Sequence, residues 1–172
     1  MRKYISLIIC VFIFNSLFSQ SNLVKGSKFI GFKYGMSKYS IPNYYHLEYG
    51  ACVKEKMILR IGVGYEYGAV YTTKFNNEYL NLDFIYNVYS FKNKFSFNFG
   101  LGAVGGMEHT YSIRNPFSNL IPIYGFRGVG EIEYLLRDRF SIKAEFAQWY
   151  LPESYLGNLF FTGTIGLSCV IN

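Results

Sequence analysis

Apolar and polar side chains alternate with a two-residue period along most of the chain. The alternation is clearest over residues 59–68, 80–88, 95–103 and 140–147, and weaker over 30–36, 45–52, 124–134 and 161–171. This period places successive side chains on opposite faces of a β-strand. The pattern therefore predicts eight strands of about 11 residues each.

The segments between the predicted strands also alternate, in length. Those at 54–56, 91–94 and 136–138 are short and charged, whereas those at 38–43, 69–77, 107–122 and 151–158 are longer. Short periplasmic turns and longer outer loops are typical of bacterial transmembrane barrels. We therefore predict an all-β fold, an eight-stranded antiparallel up-and-down transmembrane β-barrel, as a single domain over residues 21–172.

The first 20 residues have the layout of a secretory signal peptide. Arg2 and Lys3 precede an apolar run over 4–14, and small or polar residues follow, which predicts cleavage within Ser19–Ser21. The run is too short for a membrane helix, which needs roughly 20 apolar residues. The chain is therefore expected to be exported, and the barrel pattern predicts the outer membrane as its destination.

The composition agrees with strands and argues against nucleic-acid binding. Aromatic residues make up 20% of the chain and charged residues 16%, below the soluble average of about 25%. Arg2 and Lys3 leave with the leader, so the surplus of basic over acidic residues is too small for a nucleic-acid-binding domain. Cys52 and Cys169 are predicted on opposite faces of non-neighbouring strands, without a disulfide, while Cys10 would serve only in an alternative lipoprotein leader.

The charged residues of the strands all fall on the polar face. Small residues separate them, as suits a narrow lumen that side chains fill, and the apolar face carries no charge at the middle of any strand. We therefore predict a lipid-facing apolar wall and a lumen in which the charges pair almost completely. The ten predicted lumen charges are Lys33, Glu48, Arg60, Glu66, Asp83, Arg127, Glu131, Glu133, Lys143 and Glu145.

Aromatic residues near the strand ends predict two girdles at the level of the lipid headgroups. The girdle at the long-loop end would contain Tyr34, Tyr44, Tyr45, Tyr65, Tyr67, Tyr79, Tyr124 and Tyr150. The girdle at the short-turn end would contain Phe29, Phe95, Tyr134 and Phe140.

Few residues suggest chemistry, and we predict no catalytic, cofactor-binding or metal-binding residue. His46 is expected to pack in the lumen beside Glu48. His109 follows Glu108 in the longest loop and precedes Ser112 by three residues, so an outer-leaflet lipid-modifying enzyme stays an alternative that would depend on these two side chains. The sequence GLGAVG at 100–105 resembles a phosphate-binding loop, but it lies in a predicted strand with no helix after it.

Three segments resemble the TraO family of conjugal transfer proteins from Bacteroides-type conjugative transposons. They are FSFNFGLGAVGGMEHTYS at 95–112, IYGFRGVGEIEYLLRDRFSIKAEFAQ at 123–148 and TGTIGL at 162–167. The resemblance covers most of the chain after the leader. It implies a small outer-membrane barrel that belongs to a mating apparatus and has no catalytic residues to carry over.

Together these features predict a non-enzymatic structural or interaction protein of a conjugation apparatus. The loop from Met107 to Pro122, which combines apolar and charged residues, would contact other conjugation proteins, or would fold onto the barrel mouth as a plug. An eight-stranded lumen is filled by side chains, so nucleic acid would not pass through it. The alternative function is that of a general small outer-membrane barrel for adhesion or envelope protection.

Overall fold

The computed structural model of the chain describes residues 25–38, 43–70, 72–92, 94–112, 119–137, 139–155 and 157–171. The signal peptide predicted over residues 1–20 lies outside the described residues. The described part contains eight strands: β1 (Lys28–Ser37), β2 (Tyr44–Lys54), β3 (Met57–Val70), β4 (Thr73–Phe91), β5 (Phe95–Ser112), β6 (Asn119–Arg137), β7 (Phe140–Tyr150) and β8 (Leu159–Ile171).

The strands form a closed antiparallel barrel in chain order. Each strand pairs with the next one, and β8 pairs with β1, so that Phe32 lies opposite Leu47 on one side and Leu167 on the other. Closure leaves no free sheet edge around the barrel wall. The predicted eight-stranded up-and-down fold is confirmed. Among the described residues, no helix is long and apolar enough to cross a membrane.

The two faces of the barrel differ as the alternation predicts. In β7, Ser141, Lys143 and Glu145 point inward and are buried, whereas Phe140 and Ile142 point outward and are exposed. The same alternation runs through the other strands. Apolar residues therefore cover the outer wall, and polar and charged residues line the lumen.

The strands are unequal in length, and the extra length lies at the long-loop end. β4 and β6 have 19 residues each, compared with 10 in β1 and 11 in β7. The loop predicted over 69–77 is wrong, because β3 continues to Val70 and β4 begins at Thr73. The loop predicted over 107–122 is also mostly strand. Only residues 113–118 separate β5 from β6, and those six lie outside the described part of the chain.

The three predicted short turns are confirmed, and the strand pairing of each hairpin is irregular. The pairing register shifts between Cys52 and Lys54, between Asn87 and Tyr89, and between Leu135 and Arg137. Such bulges tighten the local twist of a strand pair. Lys56 and Lys92 adopt left-handed backbone conformations, with φ of 66° and 54°.

Candidate functional site

The centre of the lumen contains an ion-pair network built around Arg60. Its Nε donates to Asp83 at 2.9 Å, and its Nη1 donates to Glu48 at 2.9 Å and to Glu131 at 2.7 Å. Its Nη2 donates to Glu145 at 2.8 Å. One guanidinium in β3 thus binds carboxylates from β2, β4, β6 and β7.

Three further cations complete the network. Lys33 lies 2.7 Å from a Glu48 oxygen and also contacts Glu131 and Glu145. Arg127 forms a two-point pair with Asp83, at 2.7 and 2.5 Å, and Lys143 donates to Glu48 at 3.0 Å. Four cations therefore face four carboxylates, and the network is neutral as a whole.

The remaining two predicted lumen charges also point inward, one on each side of the Arg60 cluster along the barrel axis. Glu66 accepts hydrogen bonds from Tyr79 and Ser37 nearer the long-loop end. Glu133 accepts one from Ser141 nearer the short turns, at 2.5 Å. The predicted pairing is confirmed for the eight residues of the network, and Glu66 and Glu133 accept hydrogen bonds from hydroxyl groups.

His46 occupies the lumen position predicted for it. It is buried, its Nε2 lies 2.8 Å from the Asn81 side-chain oxygen, and its Nδ1 lies 4.0 Å from Glu48. Asn81 in turn donates to Asp83 at 3.0 Å, which joins the histidine to the ion-pair network. His46 therefore acts as a packed lumen residue in a hydrogen-bonded row.

Three lumen carboxylates lie close enough together to suggest a cation site. Oxygens of Glu48, Glu131 and Glu145 lie within 4.8 Å of one another. Lys33 and Arg60 already bind all three carboxylates. Since their side chains supply the neutralising charge, this cluster is part of the ion-pair network and does not resemble an open metal centre.

An aromatic cluster fills the lumen above the network, toward the long-loop end. Trp149, the single tryptophan, stacks on Phe160 at 5.7 Å and lies 5.0 Å from the Arg127 guanidinium. Tyr44 and Tyr79 pack against the same indole. Both tyrosines are buried and point inward, so their assignment to the outer girdle is wrong.

The girdle predicted at the short-turn end contains one similar error. Phe29 points inward, and the Lys143 ammonium lies 3.8 Å from the centre of its ring. Phe95 and Tyr134 pack together on the outer wall, with ring centres 4.6 Å apart, and Phe140 is exposed near them. A girdle at the short turns therefore exists without Phe29. The misplaced residues have the wrong parity in their strands, which alternation alone could have revealed.

The outer wall between the girdles is apolar. Leu47, Val63, Leu82, Leu101 and Ile165 are each more than half exposed there. A soluble protein rarely exposes so continuous an apolar surface. Cys169 points outward and Cys52 inward, and both are free thiols, as predicted.

Strands β3 to β6 project beyond this apolar belt. On the outer face of β4, Leu82 and Leu80 give way to Glu78 and then to Lys74, whereas the inner face carries Phe75. On β4 the outer face therefore becomes polar beyond the belt, while large apolar side chains lie on the inner face. An apolar inner face is what a β-sheet surrounded by water requires.

The β7–β8 connection folds over the inner face of the projecting sheet. Glu108 in β5 accepts a hydrogen bond from the Ser154 hydroxyl at 2.7 Å and one from the Tyr155 backbone N–H at 3.0 Å. Leu151 packs into the aromatic cluster beneath. This connection, rather than the predicted 107–122 loop, covers the barrel mouth within the described part of the chain.

The structure separates Glu108 from His109, two members of the hydrolytic group considered from the sequence. Glu108 is buried and bonded to the β7–β8 connection, whereas its neighbour His109 lies on the opposite face of β5. Successive residues of a strand face opposite sides, so Glu108 does not orient His109. The glycines at 100–105 lie within β5, as predicted, and form no phosphate-binding loop.

Several solved structures share this architecture. The N-terminal β-barrel domain of Pseudomonas aeruginosa OprF matches with a TM-score of 0.67 at 13% identity, over 86% of this chain and 98% of that one. Neisserial surface protein A matches with a TM-score of 0.64 at 8% identity, over 83% and 95%. Ail, the attachment invasion locus protein of Yersinia pestis, matches with a TM-score of 0.57 at 14% identity, over 86% and 100%.

These similarities concern the fold. No family model matches the chain, and a search of curated proteins finds no relative. The closed barrel, the apolar wall and the charged lumen define a small β-barrel of the outer-membrane type. The comparisons do not bear on the TraO family, so that assignment stays a prediction.

Proposed function

We propose that the chain spans the bacterial outer membrane as a non-enzymatic barrel that contacts partners through its projecting strands. The observation that carries this proposal is the distribution of charge. Eight ionised side chains pair inside the barrel, while the outer wall around them is apolar. Such a wall is stable in hydrocarbon, and the pairing of the lumen charges offsets the cost of burying them.

The filled lumen supports an anchoring role rather than transport. Arg60 and its carboxylates occupy the centre, and Trp149 with Phe160 occupies the space above them. An eight-stranded barrel has an interior just wide enough for side chains. Neither nucleic acid nor a folded protein would pass, so the molecule acts through its surfaces.

The projecting hairpin of β5 and β6 is the proposed contact surface. Its outer face exposes Tyr111 and Leu120, which lie beyond the apolar belt of the wall. Exposed apolar side chains above a membrane often mark a partner surface. The hairpin includes most of the segment from Met107 to Pro122, for which the sequence predicted either this role or that of a plug.

The resemblance to the TraO family supports a mating apparatus as the setting, with other conjugation proteins as partners. The test is the transfer frequency of a clean deletion strain that is complemented with variants. We expect wild type and Tyr155→Ser, a control on the β7–β8 connection, to restore transfer. The double variant Tyr111→Ser, Leu120→Ser should restore outer-membrane protein levels but not transfer.

Adhesion or envelope protection is the second candidate. It is favoured by the projecting sheet and by the similarity to a protein whose name includes attachment and invasion. Normal transfer in the deletion strain would contradict the mating role. Loss of attachment or of resistance to detergent in the same strain would then support the second candidate.

A further inference from the structure

The short-turn end of the barrel carries a ring of basic side chains. They come from the start of β1 and from the three short turns, so they are spread around the closed barrel. Within the same segments, Glu55 and Asp138 are the acidic residues of the sequence. We call the eight basic residues the basic rim: Lys25, Lys28, Lys54, Lys56, Lys92, Lys94, Arg137 and Arg139.

The opposite end of the barrel has no such surplus. The basic residues of the projecting strands and outer connections are Lys38, Lys74 and, by sequence, Arg114. Glu78 and Glu153 are exposed at the same end. Since the lumen network is neutral, most of the positive charge of the chain after the leader lies on the basic rim.

The basic rim lies at the edge of the apolar wall. Lys54 directly follows the exposed Val53, and Arg139 directly precedes the exposed Phe140. The Lys92 ammonium lies 5.1 Å from the centre of the neighbouring Phe91 ring. Long basic side chains at such a boundary extend their charged ends toward the headgroups while their stems cover apolar surface.

Two lysines of the basic rim occupy turn positions with unusual backbone conformations. Lys56 and Lys92 occupy left-handed conformations, which favour Gly or Asn. Turn geometry alone therefore does not explain lysine at these two positions.

We propose that the basic rim binds the phosphate groups of anionic phospholipids in the leaflet at the short-turn end. Headgroup phosphates lie at the level of an aromatic girdle, all around the barrel, and this is where the basic side chains are distributed. A soluble anionic partner would require a patch on one side rather than a ring. The inference rests on the proposed membrane location.

The test measures lipid selectivity of the full chain, refolded into vesicles of equal parts phosphatidylcholine and phosphatidylglycerol. Spin-labelled forms of the two lipids report their relative association with the barrel wall. We expect the wild type to favour phosphatidylglycerol by at least about twofold, and high salt to weaken the preference. Both leaflets have the same composition, so the direction of insertion does not affect the result.

Two double variants each remove two positive charges, one pair from the short-turn end and the other from the long-loop end. Lys54→Gln, Lys94→Gln should reduce the preference for phosphatidylglycerol, whereas Lys38→Gln, Lys74→Gln should leave it unchanged. No preference in the wild type, or equal losses in both variants, would overturn the proposal. A chain that fails to enter vesicles would contradict the membrane location as well. The mobility of unheated samples in electrophoresis distinguishes failed insertion from a folded barrel without lipid selectivity.

Discussion

Within the ion-pair network, Arg60 links more strands than its neighbours do. Its guanidinium binds carboxylates from four other strands. Glycines make room for these long side chains. A methyl group added at Gly102 would overlap the Asp83 carboxylate and the Leu82 carbonyl, and one added at Gly62 would overlap His46. The lumen is thus closely packed: paired charged side chains fill the space that the glycines leave open.

Replacing Arg60 by Met should strongly destabilise the barrel. The substitution removes one positive charge and leaves several buried carboxylates without their main partner, which typically costs about 3–5 kcal/mol. Urea unfolding in detergent micelles, followed by the emission of Trp149, measures the change. Lys74→Met, on the exposed outer face of β4, is the matched control and should have little effect. A loss below about 1 kcal/mol for Arg60→Met would mean that the network contributes no more than surface pairs do.

Two glycines of β5 allow a matched test of lumen packing. Gly102→Ala should lower the free energy of unfolding by about 1–3 kcal/mol, because the added methyl group must displace Asp83 from its arginine partners. Gly105→Ala should be neutral or slightly stabilising, since open space surrounds that position. The same urea titration compares them. Equal effects of both substitutions would contradict the packing described for the lumen.

At the scale of elements, β4 shows what the sequence could predict and what it could not. The strand was predictable from Leu80 to Val88, where apolar and polar residues alternate cleanly. The extension from Thr73 was not, because beyond the belt the outer face becomes polar and the inner face carries Phe75 and Tyr79. The pattern of apolar residues outside and polar residues inside therefore does not hold there, and it predicts a loop instead of a strand. Tyr79, in contrast, has the same parity as Asp83 in β4, so alternation alone assigns it to the lumen.

The contacts between residues of distant strands also could not be predicted from the sequence. The inward direction of the ten lumen charges followed from alternation, but the binding of Arg60 by four strands depends on the barrel register. The hydrogen bonds from the β7–β8 connection to Glu108 join residues 46 and 47 positions apart. No local pattern could indicate that this connection lies over the mouth.

An arginine on the outer face of β4 tests where the lipid belt ends. Leu82→Arg places a charge on the apolar wall and should destabilise the barrel in vesicles by about 2–4 kcal/mol. Asn76→Arg, on the same face in the projecting part, should have little effect. Unfolding by urea from phosphatidylcholine vesicles gives both values. Similar small effects at both positions would indicate that water, and not lipid, surrounds the wall.

The whole molecule combines three layers of charge along the barrel axis. A neutral ion-pair network lies in the lumen at the level of the apolar wall, the basic rim lies at the short turns, and mixed charges lie on the projecting strands. This arrangement gives the chain a lipid-facing surface, a closed interior and two chemically different ends. It suits an anchor that presents one end to the cell exterior and holds lipid phosphates at the other.

Cell fractionation shows directly whether this barrel spans the outer membrane. The full chain is produced in a Gram-negative host, the two membranes are separated by density, and unheated and heated samples are compared by electrophoresis. We expect recovery in the outer-membrane fraction, with a mobility that changes on heating because the folded barrel resists detergent. Recovery in the soluble periplasmic fraction would contradict it and would indicate a barrel surrounded by water.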